Sequence, residues 1–192
     1  MTLYEEIHHK VFFLLKTKLP SFLTYHSYKH TAYVLKQAEI ISVKEKVSEH
    51  DLFLIKIASL FHDIGFIKQY KDHEEAGVLI AREFLQDCDI ELTDVEQISG
   101  MIMATKIPQS PVTLNEMIVA DADLEYLGTD LFYPVSQFLY NEFHYLDPDL
   151  DLKAFNQLQI KFMSEHHYFT DYCKQHHEEK KRENLLALIE SM

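Results

Sequence analysis

The stretch LFLIKIASLFHDIGF, residues 52–66, decides the fold. Its first ten residues carry one charge, Lys56, so a helix formed here has almost no face for water and is buried nearly all round. The run ends in His62-Asp63, followed by Gly65. Outward from it, S/T-x-x-D/E boxes mark helix starts: Thr2, Ser48 with Asp51, Thr93 with Glu96, and Thr113 with Glu116. Pro20 stops the first of these helices, and Gly128 reads as the residue just past the end of the fourth. Helical patterns also cover about 27–46, 72–87, 129–146, 151–167 and 170–190, with Asp147-Pro148-Asp149 as the clearest turn. No stretch sustains the period-two alternation of a strand. The fold class is all-α: a compact bundle of about nine helices in one domain, 1–192, with a core at about 22–128 and a C-terminal helical annex at about 129–192.

Composition narrows the function. The chain has only 4 Gly and 5 Pro in 192 residues, too few to punctuate many short strands. Its formal net charge of −13 disfavours a nucleic-acid polymer or an anionic membrane surface as partner. No apolar run reaches the roughly 18 residues of a membrane span, and the acidic, histidine-containing start MTLYEEIHHK does not read as a targeting peptide. Two cysteines, Cys88 and Cys173, with no CxxC, point to a reducing cytoplasmic setting. The charged segment 174–190 reads as a solvated outer helix; a homodimer contact through Leu185, Leu186, Leu188 and Ile189 is the alternative.

Twelve histidines are the compositional anomaly, and several fall on apolar helical faces. His26 and His30 stand at i, i+4, on a stripe continued by Val34, Ala38 and Ile41. His62 and Asp63 close the buried run, where an unpartnered carboxylate costs several kcal/mol and so calls for a cation or strong donors. His73 shares a stripe with Ala76, Gly77 and Ile80. Asp121 stands in the stripe of Leu114, Met117, Ile118 and Leu124, while Asp123 lies on a different side of that helix. Imidazole and carboxylate together suit Mn, Mg, Fe, Co, Ni or Zn without selecting one. Such an ion brings the pKa of its water toward neutrality. There is no HExxH, no glycine-rich phosphate loop and no GxSxG.

The order His30, then His62-Asp63, then Asp121 resembles the HD-domain superfamily of metal-dependent phosphohydrolases, whose signature is H…HD…D on helices. YHSYKHTAYVL at 25–35 is similar to that family's first histidine segment, LFHDIGF to its HD-x-G segment, and DADLEYLG to the DxDLxxLG form of a bacterial subgroup. The resemblance covers about 25–128. It implies one divalent ion on His30, His62, Asp63 and Asp121, and hydrolysis of a nucleotide or another small phosphoester. It places His26 where phosphodiesterase-like relatives hold a proton-donating histidine. Asp63 then belongs to the catalytic set as well as to the metal. Lys106 and Lys29 are the nearest cations in sequence for a phosphate. His73, Glu74, Thr105 and Asp123 fall where they would touch substrate or support the ligands. Binuclear relatives carry a further histidine near Thr105, which this chain lacks, so a single ion is expected. A ligand-binding or regulatory module on the same scaffold, without catalysis, is the rival reading.

Overall fold

A computed structural model describes residues 2–192 of the 192. Among these there are ten α-helices, two short 3-10 turns and no strand: α1 (Leu3–Lys18), α2 (Tyr28–Glu45), α3 (Glu49–Phe61), α4 (His73–Leu85), α5 (Leu92–Met103), α6 (Leu114–Leu124), α7 (Phe132–Leu146), α8 (Leu152–Glu165), α9 (Asp171–His176) and α10 (Glu178–Glu190). The 3-10 turns are Ile64–Ile67 and Glu125–Gly128.

The expected capping boxes of Thr2 and Thr113 form, and Ser48 caps α3 by accepting from the Asp51 N–H. The Thr93 box does not. The helix there starts earlier, at Leu92, and Glu96 pairs with Arg82 of α4 instead. The segment expected to be one helix over 170–190 breaks at His177 into α9 and α10. Gly128 is not a left-handed cap. Its φ is negative, and glycine is needed because a Cβ there would collide with the backbone of His177.

Helix α3 is the axis of the core. Leu54, Ile55, Ile57, Ala58, Leu60 and Phe61 have no exposed surface, and α1, α2, α5 and α6 pack around them. Gly65 serves close approach as well. A Cβ there would strike the His73 carbonyl, so α4 can seat on the turn after α3 only if residue 65 has none.

The annex packs on the core through a second apolar cluster that joins Tyr25, Leu124, Tyr126 and Leu127 to Phe132, Met163 and Leu188. Leu185 packs against this cluster, so the inward stripe of α10 contains Leu185 and Leu188, and only Leu186 and Ile189 of the four expected contact residues are exposed. The chain then returns to the core, and α6 holds it there. Asp121, wholly buried, accepts from the Phe169 N–H (2.9 Å), the Thr170 N–H (2.8 Å) and the Thr170 hydroxyl (2.7 Å). Burial lifts the Asp121 carboxyl above its ordinary range, and these donors offset part of that rise.

His166 is partly buried. Its Nδ1 lies 3.3 Å from the Lys181 ammonium, which also donates to the His166 carbonyl at 2.6 Å. Burial and that ammonium depress the imidazole to about 3. The unfolded chain takes up this proton near pH 6.5, so the fold loses stability as pH falls from about 6.5 toward 3. His166→Gln keeps an acceptor for Lys181 and removes the titration. Urea unfolding at pH 7 and pH 4.5 should show the acid loss shrinking by about 2 kcal/mol in the variant.

Candidate metal centre

Three helix ends bring the chemistry together. His30 is in the first turn of α2, His62 and Asp63 follow the last residue of α3, and Asp123 is one residue from the end of α6. The His30 Nε2 lies 2.9 Å from Asp123 Oδ1 and 3.4 Å from His62 Nε2. Asp63 Oδ2 is 3.2 Å from His62 Nε2 and 3.5 Å from His30 Nε2. His62 is fully buried, and Asp63 and His30 nearly so.

These separations can be tested against a metal ion. Donors on one ion with bonds of about 2.1 Å sit roughly 3 Å apart, and the ligand atoms of His30, His62 and Asp123 all lie within 4.8 Å of one another. The Nδ1–H of His62 donates to the Ser59 carbonyl at 2.8 Å, which leaves Nε2 with a lone pair aimed into the cluster in the neutral ring. Asp63 Oδ2 is buried with no hydrogen-bond partner. A buried carboxylate oxygen without a donor, beside imidazole nitrogens facing each other, is the arrangement a divalent cation satisfies. The titration directions agree. Burial opposes a charge on His62, but the carboxylates of Asp63 and Asp123 outweigh it and raise the ring to about 9. Asp63 is driven the other way, well below the ordinary carboxylate range, because His62 and His73 outweigh its burial. A potential that retains a proton on His62 also attracts a metal cation.

Asp121, expected to complete this set, does not reach it. Successive residues on a helix turn by about 100°, so residues two apart point to nearly opposite sides. Asp121 faces the returning chain at Phe169 and Thr170, while Asp123 faces the imidazoles. The stripe argument misplaced the site because the end of α6 is buried on both sides, so apolar neighbours do not mark one inward face.

The cluster opens into a cavity of about 470 Å³ lined in part by His26, Asp63, His73, Glu74, Thr105, Lys106 and Asp123. His26 is not on a helix, because α2 begins two residues later. Its ring still lies 6.1 Å from that of His30, centroid to centroid. It is held by a residue that sequence reading did not single out. Glu142 of α7, completely buried, receives the His26 Nδ1 at 2.6 Å and accepts the N–H groups of Tyr25 (3.1 Å) and His26 (3.2 Å) on its other oxygen. Burial alone would depress His26, but the Glu142 bond and the nearby carboxylates raise it above its ordinary value. The signal was available: Glu142 is the one acidic residue in α7, FYPVSQFLYNEFHYL.

The other expected residues are placed as follows. The His73 ring stacks on Phe66, and its Nε2 lies 3.6 Å from Asp63 Oδ1. The Glu74 carboxylate is 3.6 Å from His73 Nδ1. The Thr105 hydroxyl donates to the Ile102 carbonyl at 2.8 Å. Lys106 is at the cavity but engaged, bonded to Asp72 at 2.9 Å and to Glu75, and these carboxylates raise its pKa. Lys29 lines a separate cavity of about 340 Å³.

Comparison with known proteins fits this geometry. The profile of the HD domain family matches residues 27–125, and the chain belongs to that family of metal-dependent phosphohydrolases. No curated protein sequence matches the chain. Among solved structures, a predicted HD superfamily hydrolase from an uncultured Thermotogales bacterium is similar over 100% of this chain and 97% of that one, with a TM-score of 0.64 and 20% identity. Bacillus subtilis YpgQ, solved in complex with ADP, is similar over 100% and 97%, with a TM-score of 0.66 and 18% identity. At these identities the likeness is one of fold.

The two aspartates of α6 should separate by experiment. Asp121→Ala strands buried N–H groups and should cost roughly 3 kcal/mol of stability in chemical denaturation. Asp123→Ala should keep the metal-free protein within about 1 kcal/mol of the parent, yet lose bound divalent metal in elemental analysis after dialysis.

Proposed function

We propose that the protein is a metal-dependent phosphohydrolase acting on a nucleotide or another small phosphoester, with one divalent ion held by His30, His62, Asp63 and Asp123. The observation that carries this reading is the unpartnered Asp63 Oδ2 among converging imidazole nitrogens at the wall of a ligand-sized cavity. A divalent ion bound there supplies Lewis acidity and brings the pKa of water toward neutrality.

The chain's own residues supply the rest. His26, with its proton favoured by Glu142, is the group suited to protonate the leaving oxygen. Glu142 fixes the orientation of that ring, since one carboxylate bonds the side chain and the backbone of the same residue. His73, with its Nε2 3.6 Å from Asp63 Oδ1, and Thr105 both line the cavity and are the candidates for contacting the phosphate. The ADP held by Bacillus subtilis YpgQ supports a phosphorylated small molecule as the ligand class.

The test is a preparation loaded in turn with Mn, Mg, Fe, Co, Ni and Zn and offered a panel of phosphoesters. Metal-dependent release of phosphate or nucleoside is expected. Stoichiometric metal with no hydrolysis of any member would favour a ligand-binding module. Within an active enzyme, His26→Ala should lower kcat by about 10²–10⁴. Glu142→Gln should lower the pKa of His26, so that the high-pH decline of the rate profile, where the proton donor is lost, moves to lower pH.

A further inference from the structure

Helix α7, FYPVSQFLYNEFHYL, has two sides of unlike chemistry. Its inner side holds Glu142 against His26 and turns Leu139 and Phe143 to the cavity. At about 100° per residue, Tyr133, Pro134, Gln137, Phe138, Asn141 and Tyr145 fall on the other side, and all six are exposed. The aromatic rings are the most conspicuous, with Tyr133 49%, Phe138 52% and Tyr145 64% open to solvent. None of the six is charged. Glu142 is the helix's one aspartate, glutamate, lysine or arginine, and it is buried.

The uncharged surface continues past the helix on both flanks. A cleft of about 340 Å³ that includes Phe138 and Val135 is walled by Tyr25, Tyr28, Tyr33 and Tyr126. A second, of about 230 Å³, includes Tyr133 and Gln137 and reaches Leu152 and Leu188. Lys29 is the one lysine lining the two clefts, and no aspartate, glutamate or arginine lines them among the described residues.

Charge decides what such a face can meet. The chain carries 31 acidic against 18 basic residues, a net charge of −13, so two copies repel over most of their surface. A two-fold contact sets residues near the axis against their own counterparts, so a carboxylate there would meet a carboxylate. A face without charge escapes that cost. The cores of protein interfaces are accordingly poor in charge and rich in tyrosine and phenylalanine. A partner of another kind would be steered to so acidic a chain by opposite charge, and this face offers it nothing to pair with. Area agrees. Taking about 100 Å² for each half-exposed aromatic ring, the outer side of α7 and the rims of its clefts offer on the order of 700 Å² per copy, near the roughly 800 Å² that a stable interface buries on each partner. The last helix offers less, because Leu185 and Leu188 of α10 pack inward.

We infer that the outer face of α7 is the contact surface for a second copy of this chain, the two α7 helices crossing near Phe138 and Asn141 about a two-fold axis. A crossing angle of about 50°, the commonest for packed helices, carries the helix ends apart. Asp130, Asp147 and Asp149, which flank those ends, then stay clear of their counterparts.

Sedimentation velocity on the full-length protein, across micromolar concentrations and in low and high salt, tests this. A species of twice the 22.7 kDa chain is expected. High salt should hold it as well or better, because screening weakens the overall repulsion and no ion pair sustains the contact. A monomer throughout overturns the inference. Asn141→Glu and Asn141→Lys each set like charges together at the crossing, at an exposed position where folding tolerates them. Each should weaken the dimer by about tenfold or more, and mixing the two variants should restore it, since glutamate then faces lysine. A dimer that neither variant weakens, or a loss that the mixture does not repair, overturns the inference. Phe138→Ala removes apolar contact without adding charge and should also weaken the dimer by about tenfold. Leu79→Glu, on the core helix α4 and at a position 69% exposed, should leave it intact. Dissociation by Leu79→Glu would put the contact on α4 and overturn the inference.

Discussion

Two carboxylates on one buried helix organise this protein. Asp121 and Asp123 lie two residues apart on α6, on nearly opposite sides. A buried carboxylate must be met by hydrogen-bond donors or by a cation, and each is met differently. Asp121 takes backbone and hydroxyl donors from Phe169 and Thr170, which ties the returning annex to the core. Asp123 takes the imidazole of His30 and completes the donor cluster. Fold closure and site assembly therefore share a single element.

The division of labour follows from this. The ligand cluster is drawn from α2, the end of α3 and α6, all packed on the core. The annex contributes no ligand but supplies Glu142, which fixes His26, and the apolar wall of the cavity. A carboxylate that binds the backbone and the ring of the same histidine orients it more tightly than a contact to the ring alone. The His26 ring, proposed as the proton donor, is thereby positioned by a helix remote in sequence. Anything that loosens the Asp121 anchor would also disturb that wall, because the annex helices pack as one cluster with Leu124, Tyr126 and Leu127.

Much of this was legible in the chain itself. The apolar run of α3 ending in His62-Asp63, the capping boxes of Thr2, Ser48 and Thr113, and the scarcity of glycine and proline set an all-helical bundle, because each is a local signal. His30, His62 and Asp63, which the structure brings together, stood out in the sequence because polar groups on otherwise apolar faces need partners. What sequence could not decide was which side of α6 faces the site. Periodicity distinguishes buried from solvated, and α6 is buried toward both the core and the annex near its end. Nor could it reveal that Lys106 is engaged by Asp72 and Glu75, or that His26 is held by a glutamate 116 residues away. The sequence thus determined the helices and the types of donor through local propensity and the cost of burying polar groups. Only the tertiary structure decided which carboxylate joins which donors, because that depends on where distant segments return.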